Sequence, residues 1–364
     1  MMPDARVGAV EAGRPLPVEE VPPGEEQAID DMIAELKREL TSRYDPPPGV
    51  TRRDAHPKHH GLARARFIVD AACPIELRHG IFAHVGRAYA AEIRFSNGHP
   101  IVNHDLAFDL RGAGIKLNTG ERSLLGDNGQ DFLLATGETF FGRDAVDFVG
   151  FPKASLKTRT TIAYFLRPHR LRGGLQLLKG MRVPASPLSA TYFSQGPYRL
   201  GPHCVKYQLR PAARRSSAGD RWFMRPIVRH LLAIVLTVFG RLVKNRIGGF
   251  DALRDALQRD LADDHVTLEF YVQRWTDLSR LPVWAIEDPR RRWGAPWVKV
   301  ATIVVPQQDD ATSEERLAWA ERMNFNPWRA RAEHQPLGGI NRARGRIYLE
   351  MSTFRNERSG VGGG

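Results

Sequence analysis

Hydrophobic and polar positions alternate in short runs through much of this chain. Between about 61 and 134 the runs "ARARFIVD", "AAEIRFSNG", "GAGIKLNTG" and "QDFLLATG" are bounded by Gly, Asn and Asp. Later come "HCVKYQLRP", "HVTLEFYVQRW" and "WVKVATIVVP". A two-residue period with such boundaries predicts strands. The runs seldom alternate with helical patterns, so the expectation is an antiparallel eight-stranded barrel with surrounding helices, an α+β fold, and not a parallel sheet. Helical spacing marks "EEQAIDDMIAELKRELTSRY", which stops at "DPPPG", and also "FDALRDALQRDLA", "SEERLAWAERM" and "ARGRIYLEMSTFR".

One segment breaks the texture. "RWFMRPIVRHLLAIVLTVFGRLVKNRIGG" has an apolar run at 231–239 flanked by Arg225, Arg229, Arg241, Lys244 and Arg246. A bilayer span takes roughly 20 residues, so this is not a transmembrane helix. Two readings stay open: a buried helix packed on the barrel, or an interfacial helix at 225–246 whose basic ends meet anionic membrane.

Composition adds a globular chain of 364 residues, 42% hydrophobic and 26% charged, with net charge +12. The charge invites an anionic partner, but no nucleic-acid-binding motif accompanies it, so nucleic acid is not expected. Cys73 and Cys204 stand far apart without a CxxC, which sets aside a disulfide framework and points to a reducing, cytoplasmic compartment. The N-terminal stretch before the first helix is rich in Pro, Gly and Glu, lacks an apolar leader, and reads as an extended or flexible arm. No glycine-rich nicotinamide fingerprint is found. The organisation expected is an arm and helix over 1–45, a main domain over 50–355 interrupted by an insertion at 212–248, and a flexible tail over 356–364.

Candidate chemistry lies on the last helix. At ~100° per residue, Arg344 and Arg355 fall within roughly 40° of Tyr348, with Met351 and Ser352 on the same face. This is either a basic helix whose tyrosine plugs a core, or a phenol beside a guanidinium that favours its ionised, iron-binding form. The second cluster is "RRDAHPKHHGLARARF", with Arg53 and His56 just before the first strand. No carboxylate or cysteine at ligand spacing accompanies His56, His59 and His60, which argues against a metal triad.

Read in order, R-x-x-H-x-K-x-x-G from Arg53, "RFS" (94–96), "DLRG" (109–112), "GDN" (126–128), "RDAVDFVGF" (143–151) and R-x-x-x-Y-x-x-x-x-x-x-R from Arg344 resemble the haem catalase superfamily. The resemblance covers roughly 53–355 apart from the insertion. It implies a haem b cofactor whose iron is bound by Tyr348, with Arg344 keeping the phenolate ionised. Arg53, Arg94 and Arg355 match arginines that pair with haem propionates, and Phe148 a ring packed on the haem face. His56 resembles the distal histidine, able to act as general base and then general acid. Ser96 matches its hydrogen-bonding serine, and Asn128 the distal asparagine that steadies the outer peroxide oxygen.

Two departures shape the expected function. Ala55 precedes the distal histidine where larger catalases carry valine, which widens the approach to the iron. The chain also ends soon after the proximal helix, like the short catalase-related haem proteins that lack C-terminal helical domains. The expectation is peroxidase-type reduction or conversion of hydrogen peroxide and organic hydroperoxides, with an amphiphilic anionic fatty acid hydroperoxide suited to the wide pocket and positive charge. Dismutation of hydrogen peroxide, isomerisation of fatty hydroperoxides, and a haem-binding or membrane-surface protein without turnover are the alternatives. The resemblance also implies a homo-oligomer, dimer or tetramer.

Overall fold

The structure is a computed structural model and describes residues 16–45, 51–156, 158–213, 249–276, 286–288 and 293–360. The alternating runs form strands β1 (His59–Val69), β2 (Ala88–Asn97), β3 (Arg111–Arg122), β4 (Asn128–Ala135), β5 (Tyr192–Phe193), β6 (Tyr198–Leu200), β7 (His203–Pro211), β8 (Val266–Arg274) and β9 (Trp297–Val305). All pair antiparallel in the order β5-β4-β3-β2-β1-β9-β8-β7-β6. The two-residue β5 meets β4 at Ala135↔Phe193 and β7 at Tyr192↔Leu209. That double pairing closes an eight-stranded barrel, and β6 is an added arm on β7.

The period-two pattern sends one set of side chains into the barrel. Phe67, Phe132, Tyr207 and Phe270 are essentially inaccessible there, joined by Phe82 from the β1–β2 connection, with Phe132 centred 4.8 Å from Phe270 and 4.9 Å from Tyr207. Burying each such ring stabilises the barrel by about 1.5–3 kcal/mol. The opposite face of β2 and β3, with Arg94, Ser96, Gly112 and Gly114, is thereby turned outward.

Around the barrel run α1 (Glu25–Arg43), α2 (Ala145–Phe148), α3 (Phe151–Ala154), α4 (Thr158–Phe165), α5 (Leu171–Gly180), α6 (Ala252–Asp263), α7 (Glu314–Arg322) and α8 (Gly339–Arg358). Helix α1 lies along α8, burying Ile29, Met32 and Ile33 with Ala343, Ile347 and Met351. Ion pairs Arg346–Asp30 (2.6 Å) and Lys37–Glu350 (2.8 Å) edge the contact. Arg342 also holds Glu19 and Glu25, so residues 16–24 of the expected flexible arm are pinned to the start of α8.

Two differences from the sequence reading concern helices. Helices α2 to α5 were not expected; two of them are single turns, and Asp144 caps α2 by accepting from Asp147 N at 2.7 Å. Helix α8 continues to Arg358, so the first residues of the expected tail are helical. The basic–apolar part of the 212–248 insertion, including 225–246, lies outside the described residues, as do 1–15 and 361–364. Among the described residues no helix is long and apolar enough to cross a membrane.

Candidate functional site

A cavity of about 1080 Å³ lies between the outward face of the barrel and helices α1, α3 and α8. Small-molecule sites commonly occupy ~300–1,000 Å³, so this one suits a large ligand. Its barrel wall is built by β2, β3 and β4, together with the chain that leads into β1. The register of β1 on β2 shifts between His59 and Gly61, a bulge that turns the preceding chain across the sheet face. That chain carries Arg53, Asp54, Ala55 and His56 into the cavity.

His56 is held in a left-handed backbone conformation (φ 57°), a strain of about 1–3 kcal/mol that its surroundings must offset. Arg94 Nη2 donates to His56 O at 2.9 Å, and Ser96 Oγ hydrogen-bonds Nδ1 at 3.0 Å. The imidazole rests on Gly112, which is paired with Ser96 across β2 and β3. A Cβ on Gly112 would stand 2.7 Å from His56 Nδ1 and 2.8 Å from Ser96 Oγ, so only glycine admits the ring. Burial, reinforced by the charges of Arg94, Arg344 and Arg53, lowers the His56 pKa to about 3. The ring is therefore neutral at ordinary pH. With Nδ1 engaged by Ser96, Nε2 is the nitrogen left to exchange a proton with a ligand.

The helical wall is one face of α8: Ile340, Ala343, Arg344, Ile347, Tyr348, Met351, Ser352 and Arg355 all reach the cavity. The guanidinium carbon of Arg344 is 5.7 Å from the Tyr348 ring centre, and its Nη1 donates to Asn341 Oδ1 at 3.3 Å. Burial opposes the charge of Arg344, but the phenols of Tyr348 and Tyr198 outweigh it and raise the arginine's pKa.

Cations gather at one side. Arg53 donates to Ala320 O at 3.1 Å and to Met323 O, while its backbone N–H meets Glu321 Oε1 at 3.2 Å. Glu321 also faces His59 at 3.4 Å and Arg94 at 3.9 Å. Even so, Arg53 Nε, Arg94 Nε and Arg355 Nη2 are buried without hydrogen-bond partners. Burial and the neighbouring Arg53 depress the Arg355 pKa to about 10 and that of Arg94 well below its usual value. Three buried guanidinium groups thus share the carboxylate of Glu321 and keep unsatisfied N–H groups, which a dicarboxylate would relieve. The remaining lining is aromatic and aliphatic: Phe148 packs on Phe140, Phe141 and Phe151, with ring centres 5.0–5.6 Å apart.

Solved structures share this architecture. A fungal catalase at 17% identity superposes with a TM-score of 0.65 over 88% of this chain and 62% of its own. This is the catalase fold. Catalase A from Saccharomyces cerevisiae matches at 17% identity, TM-score 0.64, over 86% of this chain and 63% of its own. A bacterial catalase matches at 16% identity, TM-score 0.58, over 99% of this chain and 66% of its own. The chain thus spans less than two thirds of the length of these catalases. No protein-family model matches the sequence, and no curated protein matches it.

Of the residues singled out in the sequence, Arg53, His56, Arg94, Ser96, Phe148, Arg344, Tyr348 and Arg355 line this one cavity. Asn128 does not. It is exposed at the first position of β4, opposite Arg122, and its backbone oxygen accepts from Arg329. Gly126 (φ 93°) and Gly129 (φ 130°) show why: "GDNG" is the tip of the β3–β4 hairpin, where asparagine serves the turn. The distal-asparagine role given to Asn128 is therefore withdrawn.

Sequence reasoning missed Gly112, Glu321 and Gln195. The alternate glycines of "RGAG" were the available signal for a close approach to β3. Gln195 lines the cavity with φ 64° and an unpartnered, buried Nε2, and a lone glutamine after a two-residue strand carries no signal.

Proposed function

We propose that this chain is a haem-dependent enzyme that processes peroxides, chiefly by peroxidase-type reduction or conversion of hydrogen peroxide and organic hydroperoxides. One observation carries the reading: a neutral, hydrogen-bonded imidazole and an arginine-flanked phenol line the same large cavity, beside buried guanidinium groups with unsatisfied N–H donors. The donor set fits haem b. Tyr348 would supply the iron ligand, with the Arg344 guanidinium alongside its ring. Arg53, Arg94 and Arg355 would receive the propionates, and Phe148 would pack on the macrocycle. When bound, haem supplies a ferric centre able to accept an oxygen atom from peroxide.

The residues of this chain then handle the proton. His56 Nε2 takes it from one peroxide oxygen and returns it to the other, which departs as water or as an alcohol. Ser96 fixes the tautomer that makes this possible, and Arg94 fixes the strained loop that carries the ring. The structural neighbours are catalases, which supports peroxide as the substrate class. Organic peroxides are favoured over dismutation on two grounds. Asn128 lies outside the cavity, and Leu36, Ile101, Phe108, Phe140 and Leu156 give an alkyl chain an apolar wall.

The test compares hydrogen peroxide, cumene hydroperoxide and linoleate hydroperoxide with an electron donor, alongside oxygen release from hydrogen peroxide alone. Faster turnover of the organic peroxides supports the reading. Oxygen release as the dominant activity would instead make the protein a dismutating catalase.

A further inference from the structure

The helical pair α4–α5 has an apolar face on each side. Inward, Thr161 and Leu177 line the large cavity. Outward, Ile162, Leu166, Leu171, Leu175 and Leu178 are 48–65% exposed. Tight packing sets this division. A Cβ on Gly173 would strike Phe141 O, and one on Gly174 would press on the Phe165 ring, so that side of α5 must face the protein. Leu171, Leu175 and Leu178 fall within about 60° of one another on the solvent-exposed side, with Arg172 and Lys179 along one flank. A cluster of this kind is unlike the single exposed leucines normal on a soluble surface.

Charge identifies the occupant. Every charged residue from 148 to 182 is lysine or arginine, and Arg167, Arg172, Lys179 and Arg182 are exposed. Asp147, the carboxylate just before this segment, is buried against Arg170 at 2.7 Å. Glu138 shares a small recess with Lys179 and Arg182. A second copy of this face would bring like charges together. The apolar run at 231–239 has basic flanks of its own and meets the same repulsion.

We propose that α4–α5 is a peripheral docking surface for anionic lipid, with the outward leucines entering the acyl boundary and the basic rim lying among the headgroups. The cavity is thereby placed one helix thickness from the bilayer. The inference does not depend on haem or on peroxide chemistry.

Co-sedimentation of the full chain with phosphatidylcholine vesicles, with and without phosphatidylglycerol, tests it. The native protein should bind the anionic vesicles and release them at high salt. Replacing Leu171, Leu175 and Leu178 by glutamine, a good helix former, should weaken binding on the order of 100-fold. Arg172→Glu with Lys179→Glu should abolish the preference for anionic vesicles, and it carries the test should the triple variant not fold. Undiminished binding by these variants would overturn the proposal, since the contact would then lie elsewhere, as at 225–246. So would failure of the native chain to bind anionic vesicles. Conversion of a native dimer to a monomer by the leucine changes would overturn it as well, because the face would then join two copies.

Discussion

Adding one methyl group at Gly112 tests how the site is built. In Gly112→Ala the new Cβ would lie 2.7 Å from His56 Nδ1, 2.8 Å from His56 Cε1 and 2.8 Å from Ser96 Oγ. Ordinary contact begins near 3.4 Å, so the ring must retreat by 3.4 − 2.7, or about 0.7 Å, away from the serine that holds it. Overpacking of this kind costs about 1–3 kcal/mol, and a lost hydrogen bond adds about 0.5–1.5 kcal/mol. In a chain of this length that lowers the melting temperature by a few degrees. The larger effect is on chemistry, because a misplacement near 1 Å can cost ~100-fold in rate. Gly114→Ala is the matched reference: its Cβ meets only the Phe325 ring, at 3.1 Å and 3.2 Å, and a ring can yield. Peroxidase turnover per bound haem should fall ~10–100-fold in Gly112→Ala and stay near native in Gly114→Ala, with haem uptake kept in both. Native turnover in Gly112→Ala, or equal damage in both variants, would refute the claim that Gly112 seats the imidazole.

Other outcomes follow from the same geometry. Ser96→Ala should lower turnover about tenfold without loss of haem, through the freed His56 Nδ1, as peroxide kinetics would read. Asn128→Ala should leave kcat/KM unchanged, because the side chain sits on an exposed hairpin tip, whereas a distal residue would cost ~100-fold or more. Arg355→Leu should weaken haem retention, measured by transfer to an apo-globin acceptor, since it removes a buried cation whose Nη2 has no hydrogen-bond partner in the protein. Burial holds His56 and His334 at pKa values of about 3 and His60 at about 4, below the 6.5 of an unfolded histidine. Between these values the unfolded chain binds more protons, so stability is full above pH 6.5 and declines as pH falls toward 3. Urea unfolding at pH 7 and pH 5 should show that loss.

The barrel strands and α8 were legible because each follows one period for many residues. The register of Arg344, Tyr348, Met351, Ser352 and Arg355 on a single face is helical arithmetic, and the cavity confirms which residues share it. Closure of the barrel was not legible in the same way. It rests on Tyr192 and Phe193, too short a strand for any pattern. The helices between 145 and 180 were hidden because two are single turns, and three glycines interrupt the ten residues of α5. Asn128 was misplaced because a three-residue match outweighed turn chemistry that the flanking glycines plainly announced. Gln195 reaches the cavity, and Glu321 reaches the arginines beside it, through tertiary placement alone.

The central claim is that Tyr348 holds the iron of a haem seated in this cavity. Electronic absorption spectra of the ferric protein and its Tyr348→Phe variant, both purified after haem supplementation, test it most directly. The account predicts a high-spin ferric haem in the native protein that the variant loses or ligates differently, with both proteins folded alike. Identical haem spectra in the two proteins, or no haem uptake by the native chain, would contradict it.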